Sequence, residues 1–419
     1  MVIGQTVGVG IFLAPATMIR ALGDPTRALA VWILMGALST AGALCYAELA
    51  TRFPQAGGGY VFLREGFGRR CAFVYGWMGL IVIDPGLTAA LGIGLAQYLL
   101  ATVGGPPHLV PVVAIASIVT FGALTISDMS VSARLVRWTA AAKLVIVAVL
   151  MGAALVAAMQ HRVVTAADVA LPPLSMSALA AATIGAFFAF GGWWELGRMA
   201  GEVESPSRTM PRAFIGGIAI VTATYAAATV AFMLSVRGPV ADSDEAYVAV
   251  VGAALFGSAA GRILAAMVVI AVAGCLSATL FSSPRLYVAM ARDGLFPSRL
   301  ARFDTRRGTS ALLTMIQVGL ASGLVVLGTF DQILGYFIPG AVLFLGLSAS
   351  AVLVLPRVKR DTAIFRIPLY PLPLVLFLIL ITVMLVLFSV GSPTQTAIGA
   401  AILLLGIPAS YLVIPARKS

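Results

Sequence analysis

Residues 4–15 read GQTVGVGIFLAP, with Gly4, Gly8 and Gly10 falling within seven positions. They lie inside an apolar run long enough to be a membrane helix, although glycine weakens a helix by roughly 0.8–1.0 kcal/mol relative to alanine. A second stretch, FFAFGGWWELGRMAGEVESP (residues 187–206), repeats the oddity with Gly191 and Gly192 in mid-span. Two glycine pairs at bilayer depth need a common explanation, and that explanation decides the fold.

The solvent is settled by composition. Apolar residues make up 60% of the 419-residue chain and charged residues 10%, with a mean hydropathy of +1.03. Such values are far from those of a water-soluble globule. Apolar stretches of about 20 residues recur throughout, each able to cross ~30 Å of hydrocarbon. A β-barrel would show short alternating strands instead. The expected fold is an all-α polytopic membrane protein. Its spans fall near 1–22, 28–51, 71–103, 109–127, 135–159, 177–200, 213–236, 262–290, 310–328, 330–355, 371–390 and 394–415, about twelve in all. The first begins at Met1 with no charged leader and no cleavage site, unlike a signal peptide.

The net charge of +11 is topological and does not mark a nucleic-acid binder. With loops assigned alternately, about 20 Lys/Arg fall on the N-terminal side of the membrane and about 5 opposite, which orients both termini to the cytoplasm of an inner membrane. Arg52, Arg64, Arg69 and Arg70 crowd one loop; Arg292, Arg299, Arg302, Arg306 and Arg307 another; Arg357, Lys359, Arg360 and Arg366 a third. Cys45, Cys71 and Cys275 all lie in or beside spans, so no disulfide-linked partner subunit is expected. His108 and His161 are isolated in external loops, and no metal or cofactor constellation stands out.

Five spans separate the two glycine pairs, so their helices run in opposite directions through the bilayer. Glycines also permit close helix packing, but paired interruptions at matching positions of two five-helix halves point to an inverted-repeat carrier. The halves would be residues 1–159 and 177–355, followed by two further helices over 371–415 and a short tail, 416–419. Backbone exposed at bilayer depth is tolerated where it lines a cavity. The broken ends then present N–H groups to a carboxylate and C=O groups to an ammonium, and glycine lets a ligand approach the main chain. An α-amino acid fits that pair of charges.

These segments resemble the amino acid–polyamine–organocation transporters, most closely the L-type amino acid transporter branch. The resemblance spans nearly the whole chain and rests on VGVGIF (7–12), GALCYAELATRFPQAGGGY (42–60), AAAKL (140–144), FAFGGW (188–193) with EVESPSRTMPRA (202–213), and LFSSPRLYVAMARDGLFP (280–297). It implies a five-plus-five inverted repeat with two additional helices, and sodium-independent carriage of amino acids. Gln5, Thr6, Gly8, Val9 and Gly10 match the unwound substrate segment of the first span. Phe188, Ala189, Phe190 and Gly191 match its partner, with Phe188 at the aromatic gate. Val9 stands where the branch usually has serine, removing one hydroxyl contact to the carboxylate.

Charges within spans need reasons of their own. Lys143 lies about nine residues into its span, roughly 13 Å deep. It is expected to replace a coupling sodium ion by tethering its span to exposed carbonyls and to Thr279, Ser282 and Ser283, or to exchange a proton; the alternative is a snorkelling lysine. Asp84 precedes Pro85, which kinks a helix and frees a carbonyl. Asp84 is expected either to line a side-chain pocket or to pair with a neighbour such as Lys143, and it reverses the basic residue the branch tends to carry. Glu195, in the first turn after the second break, is expected either in a structural charge ladder with Arg198 and Glu202 or facing a cationic substrate. Glu48 reads as a polar tether. Trp193 is expected at the site rim and Trp194 in packing, and Tyr60, Phe62 and Phe67 at the interface in a basic loop.

Only seven residues precede Gly8, reaching about 10 Å if helical, short of the ~15 Å to the hydrocarbon edge. The start is therefore expected to be misassigned or truncated. The reading that follows is an alternating-access carrier for neutral amino acids, either an exchanger or proton-coupled, and no enzyme. Two alternatives remain open: a carrier for cationic amino acids or polyamines, and a non-transporting sensor that kept the fold. The partners are the amino acid, protons and membrane lipid. A channel would show charge rings or a continuous polar stripe.

Overall fold

The computed structural model describes residues 21–54, 57–127, 174–203, 205–237, 247–301, 310–356 and 364–414, with isolated positions within 10–18 and 138–165. Among the described residues nine helices are long and apolar enough to cross a membrane, and Ala311–Leu327 is slightly shorter. The chain is a helical polytopic membrane protein. The strand structure described is a two-residue parallel pair, β1 (Val164–Thr165) with β2 (Val236–Arg237).

Local chemistry sets the helix ends. Helix α1 (Pro25–Arg52) starts at Asp24, whose carboxylate accepts from Thr26 N at 2.8 Å, with proline in the first turn. A Gly-rich turn leads to α2 (Gly59–Phe67), and Gly68 separates it from α3 (Arg69–Met78). The π-turn Gly79–Ile83 joins α3 to α4 (Asp84–Val103), so the expected interruption at Pro85 is absorbed without breaking the span. Proline lacks the N–H that an α-turn would use and crowds the preceding carbonyl, and a widened turn accommodates both.

Helix α5 (Val110–Ser127) follows, then α6 (Met176–Phe190), capped by Ser175 accepting from Ala178 N at 3.0 Å. Helix α7 (Pro206–Ser235) begins seven residues before the expected span, and α8 (Tyr247–Phe256) fills an expected loop. Next come α9 (Ser258–Arg292), α10 (Ala311–Leu327) and α11 (Phe330–Val354), the last opened by a Thr329–Gln332 capping box. Helices α12 (Leu372–Gly391) and α13 (Pro393–Val413) close the chain.

Elements five spans apart pack against each other: α1 on α7, α4 on α9, and α5 on α10. The first segment meets α6 in the same way, since a Cβ added at Gly10 would lie 2.2 Å from Ala189 Cα. Helix α12 lies against α1, α6 and α11, and α13 against α3 and α11, where Trp77 Nε1 donates to the Ile402 carbonyl at 3.0 Å.

The basic loop after α1 corrects one expectation. It contains α2, and Tyr60 and Phe62 are buried there, not interfacial; Phe67 alone is exposed. Phe62 packs edge-on to Tyr46 at 5.5 Å. The Tyr60 hydroxyl and Arg64 Nη1, the latter at 2.6 Å, both donate to the Asp293 carboxylate at the end of α9, and Arg69 donates to the Asp293 carbonyl at 2.9 Å. Burial, and then the neighbouring Asp293 carboxylate, push the Tyr60 phenol above its ordinary pKa. Glu48 acts as the expected tether, accepting from Ile367 N at 2.9 Å beside Thr51, which accepts from Phe365 N at 3.1 Å.

Asp293→Ala removes the carboxylate that accepts from both Tyr60 and Arg64, while the backbone carbonyl that Arg69 meets is kept. It should lower the apparent melting temperature of the purified protein by a few degrees, about 1 kcal/mol for partly exposed charges. Glu65→Ala, whose carboxylate meets only Arg64 in the same network, should change it by less.

Candidate functional site

Helix α6 ends where the sequence placed its weak point. The peptide turns at Gly191 (φ −54°, ψ 148°) and Gly192 (φ 102°, ψ −14°), and the chain resumes as a 3₁₀ helix, Trp193–Glu202. A positive φ is cheap for glycine and strained for side-chain-bearing residues. The freed groups are partly re-used: Gly191 N donates to the Phe188 carbonyl at 3.1 Å and Glu195 N to the Gly192 carbonyl at 3.1 Å. Tyr225 from α7, fully buried, donates its hydroxyl to the Ala189 carbonyl at 2.9 Å.

The break opens onto a cavity of about 150 Å³ at the junction of α4, α6, α9 and α11. Gly10, Phe188, Gly191 and Gly192 form one wall, with Trp194 and Glu195 beyond them. From α9 come Thr279, Ser282 and Ser283, and from the π-turn and α4 come Ile83, Asp84, Leu87 and Leu91. Helix α11 contributes Phe337, Ile338 and Ala341.

The cavity is lopsided. Tyr46, Tyr75 and Tyr287 extend it toward the end of the bundle where the arginine-rich loops lie. At the other end the ring of Phe188 stands edge-on to Phe330 (5.5 Å) and to Phe337 (6.4 Å). The described lining carries two carboxylates, Asp84 and Glu195, with several hydroxyls and aromatic rings. Asp84 is 8% exposed and its carboxylate accepts the Tyr287 hydroxyl.

Eight residues singled out from sequence therefore share one cavity: Gly10, Phe188, Gly191, Thr279, Ser282, Ser283, Asp84 and Glu195. Ala189 and Phe190 do not line it. Ala189 backs onto Gly10, and Phe190 packs against Tyr225 (5.2 Å) and Trp32 (5.9 Å). The two tryptophans exchange places relative to expectation. Trp194 borders the cavity, stacked on Phe187 at 5.6 Å, whereas Trp193 is buried against Tyr46 (5.2 Å) and Phe214 (6.2 Å). Gln5, Thr6, Gly8, Val9 and Lys143 lie outside the described residues.

Tyr287 and Tyr225 carry polar roles that the sequence reading did not assign. Both sit in apolar runs, and their partners lie far away in the chain, so no local pattern marks them. Among the described residues no group of three or more His, Cys, Asp or Glu side chains is placed to hold a metal ion. The described lining offers main-chain groups, hydroxyls, carboxylates and aromatic rings, all suited to non-covalent contacts.

Residues 1–408 match the sequence profile of a family described as amino acid permease. The chain is similar to the Serine/threonine exchanger SteT of Bacillus subtilis (strain 168), 28% identical over 98% of this chain and 94% of that protein. It is also similar to the human cystine/glutamate transporter (29% identical; 99% of this chain, 83% of that one). The human b(0,+)-type amino acid transporter 1 is 28% identical over 94% of this chain and 81% of its own length.

Gly192→Ala should destabilise the protein by about 1–2 kcal/mol, because alanine resists the left-handed conformation there. Gly191→Ala, at a φ that alanine adopts readily, should cost less. Thermal denaturation of the two purified variants orders them.

Proposed function

The chain belongs to the amino acid permease family, and from that membership we propose that it carries neutral amino acids across the cytoplasmic membrane, sodium-independently, by alternating access. The single observation that supports this most is the break at Gly191–Gly192, opening onto a cavity that Phe188 closes on one side. A helix interrupted at bilayer depth exposes main-chain dipoles where a zwitterion can use them.

In this reading the substrate's carboxylate and ammonium sit between the first segment (Gln5, Thr6, Gly8, Val9, Gly10) and the end of α6. Phe188 is the lid and Trp194 a side wall. Engagement of the Ala189 carbonyl by Tyr225 narrows the set of main-chain acceptors left for the ammonium. The pairings α1 with α7, α4 with α9 and α5 with α10 support two inverted halves, 1–159 and 177–355, because a pseudo-two-fold axis brings equivalent elements together. Both termini lie in the cytoplasm by the distribution of arginines. The cavity then reaches toward the cytoplasmic side. Thr279, Ser282 and Ser283 on the α9 face are the hydroxyl partners of a tether from Lys143.

Transport coupling is exchange or proton symport. A second reading, transport of cationic amino acids or polyamines, is favoured by Asp84 and Glu195 in the lining.

Proteoliposomes preloaded with alanine should take up labelled alanine by counterflow, with leucine and alanine competing better than lysine or putrescine. Lysine or putrescine winning that competition would establish the second reading. Amino acid binding without flux would show a sensor. Phe188→Ala should lower counterflow by about tenfold or more, as loss of a lid that sequesters substrate does. In the symport case an imposed pH gradient should drive accumulation that Lys143→Ala abolishes, and full retention of the pH response in that variant would remove the lysine from the coupling.

A further inference from the structure

Away from the cavity, the first two turns of α7 carry a pair of cations. Arg208 and Arg212 are four residues apart, hence on one face of the helix, and both are exposed. Like charges at that spacing weaken a helix slightly. Neither arginine forms an ion pair among the described residues.

The two guanidiniums border a groove. Pro211, Ile215 and Gly216 of α7 line it together with Phe365, from the segment that leads into α12. A Cβ at Gly216 would meet nothing within 4 Å, so the groove stays open one turn beyond Arg212. Phe365 is held in place, its N–H donating to Thr51 Oγ1 at the end of α1 at 3.1 Å. Two residues on, Ile367 N donates to Glu48 at 2.9 Å. Three segments thus fix the shape of the groove. Past it, the exposed line of α7 runs on through Ala219, Ile220 and Ala223, an apolar face of a membrane span.

We propose that this groove seats an anionic phospholipid of the leaflet on the arginine-rich side, which is the cytoplasmic one in the orientation given above. Its phosphate lies between Arg208 and Arg212, and an acyl chain passes over Gly216 against Ile215 and Phe365. The order of chemistry along the helix selects this occupant. Guanidinium forks pair their N–H donors with phosphate oxygens. Gly216 follows Arg212 by about 6 Å of helix rise, and everything exposed beyond it is apolar. A free phosphate would meet the arginines and leave the apolar groove unfilled. An acidic peptide would carry its own polar backbone into hydrocarbon. Basic residues near a membrane attract anionic headgroups in general; the groove adds a fixed place for one of them. Occupancy joins the start of α7 to the segment that Thr51 and Glu48 tie to α1.

The test uses the purified full chain, delipidated in an uncharged detergent and titrated with dioleoyl phosphatidylglycerol or dioleoyl phosphatidylcholine while its melting temperature is followed. Phosphatidylglycerol should stabilise at roughly tenfold lower concentration than phosphatidylcholine. Arg208→Gln combined with Arg212→Gln should remove most of that difference. Gly216→Leu keeps both charges but fills the groove, and should weaken stabilisation by both lipids several-fold. Arg299→Gln, at an exposed position on the same side but outside the groove, should change neither response. Lipid counts from native mass spectrometry repeat the comparison where a variant melts abnormally without lipid. Equal effects of the two lipids overturn the proposal. So does an equal loss in Arg299→Gln, which would mean diffuse surface attraction. Inorganic phosphate matching phosphatidylglycerol would show a free-anion site, and polyglutamate displacing the lipid an acidic partner; either overturns it. No readout depends on transport, so an inactive carrier that binds the lipid contradicts only the proposed function.

Discussion

In hydrocarbon every peptide group must find its partner within the protein, and that constraint governs this molecule. Helix α6 stops at Phe190 in the middle of a span, and the groups it releases must be met by other parts of the protein or by what enters the cavity they border. Some are taken up locally by the turn through Gly191 and Gly192, and one by the hydroxyl of Tyr225 from a neighbouring helix. The rest of the arrangement follows from the break. The aromatic lid stands at its edge, the 3₁₀ segment carries Trp194 and Glu195 onto the cavity, and the helices around it enclose a space instead of a packed seam.

A second irregularity faces the first across the cavity. The π-turn before Pro85 widens the helix where Asp84 enters, and Tyr287 fills the room left by the missing side chain of Gly79. A buried carboxylate is costly unless its surroundings satisfy it, and here a ladder from Gln317 through Thr88 holds the backbone while a phenol meets the charge. Among the described residues, these two irregular stretches border the same cavity, and each is met by a tyrosine from another helix, Tyr225 from α7 and Tyr287 from α9.

Most of the helices were legible in the sequence because a bilayer demands long apolar runs, and length and composition alone find them. The glycine break after Phe190 was legible because two adjacent glycines are costly inside a helix, and a second pair stood at the matching position of the other half. What could not be read is direction. After a residue with φ near +100° the chain leaves the helix axis, and a 3₁₀ segment turns every three residues instead of every 3.6. Which of Trp193 and Trp194 faces the cavity then depends on geometry that no periodicity encodes, and the two came out reversed. Helix α2 was missed because glycines and arginines frame it as a loop. Its buried face, Tyr60 with Phe62, is recognised only once Tyr46 and Asp293 are brought to it by the fold. Helix α8 is short and sits between longer spans, where ten apolar residues carry no clear signal.

Close packing and exposed backbone were opposed as explanations for the glycines, yet Gly10 joins them. A side chain there would collide with the backbone of Ala189, so the contact is one of packing. The same residue borders the cavity beside Gly191 and Gly192. The two facts are one, because main chain can serve a shared ligand from two helices only if the helices cross nearer than side chains allow. Removing the Cβ at the crossing brings the broken end of α6 alongside the first segment, and the void beside that crossing is the cavity. Tight approach is therefore the means by which backbone groups from both segments reach a single small space, and a bulkier residue at position 10 would separate them before it touched any ligand.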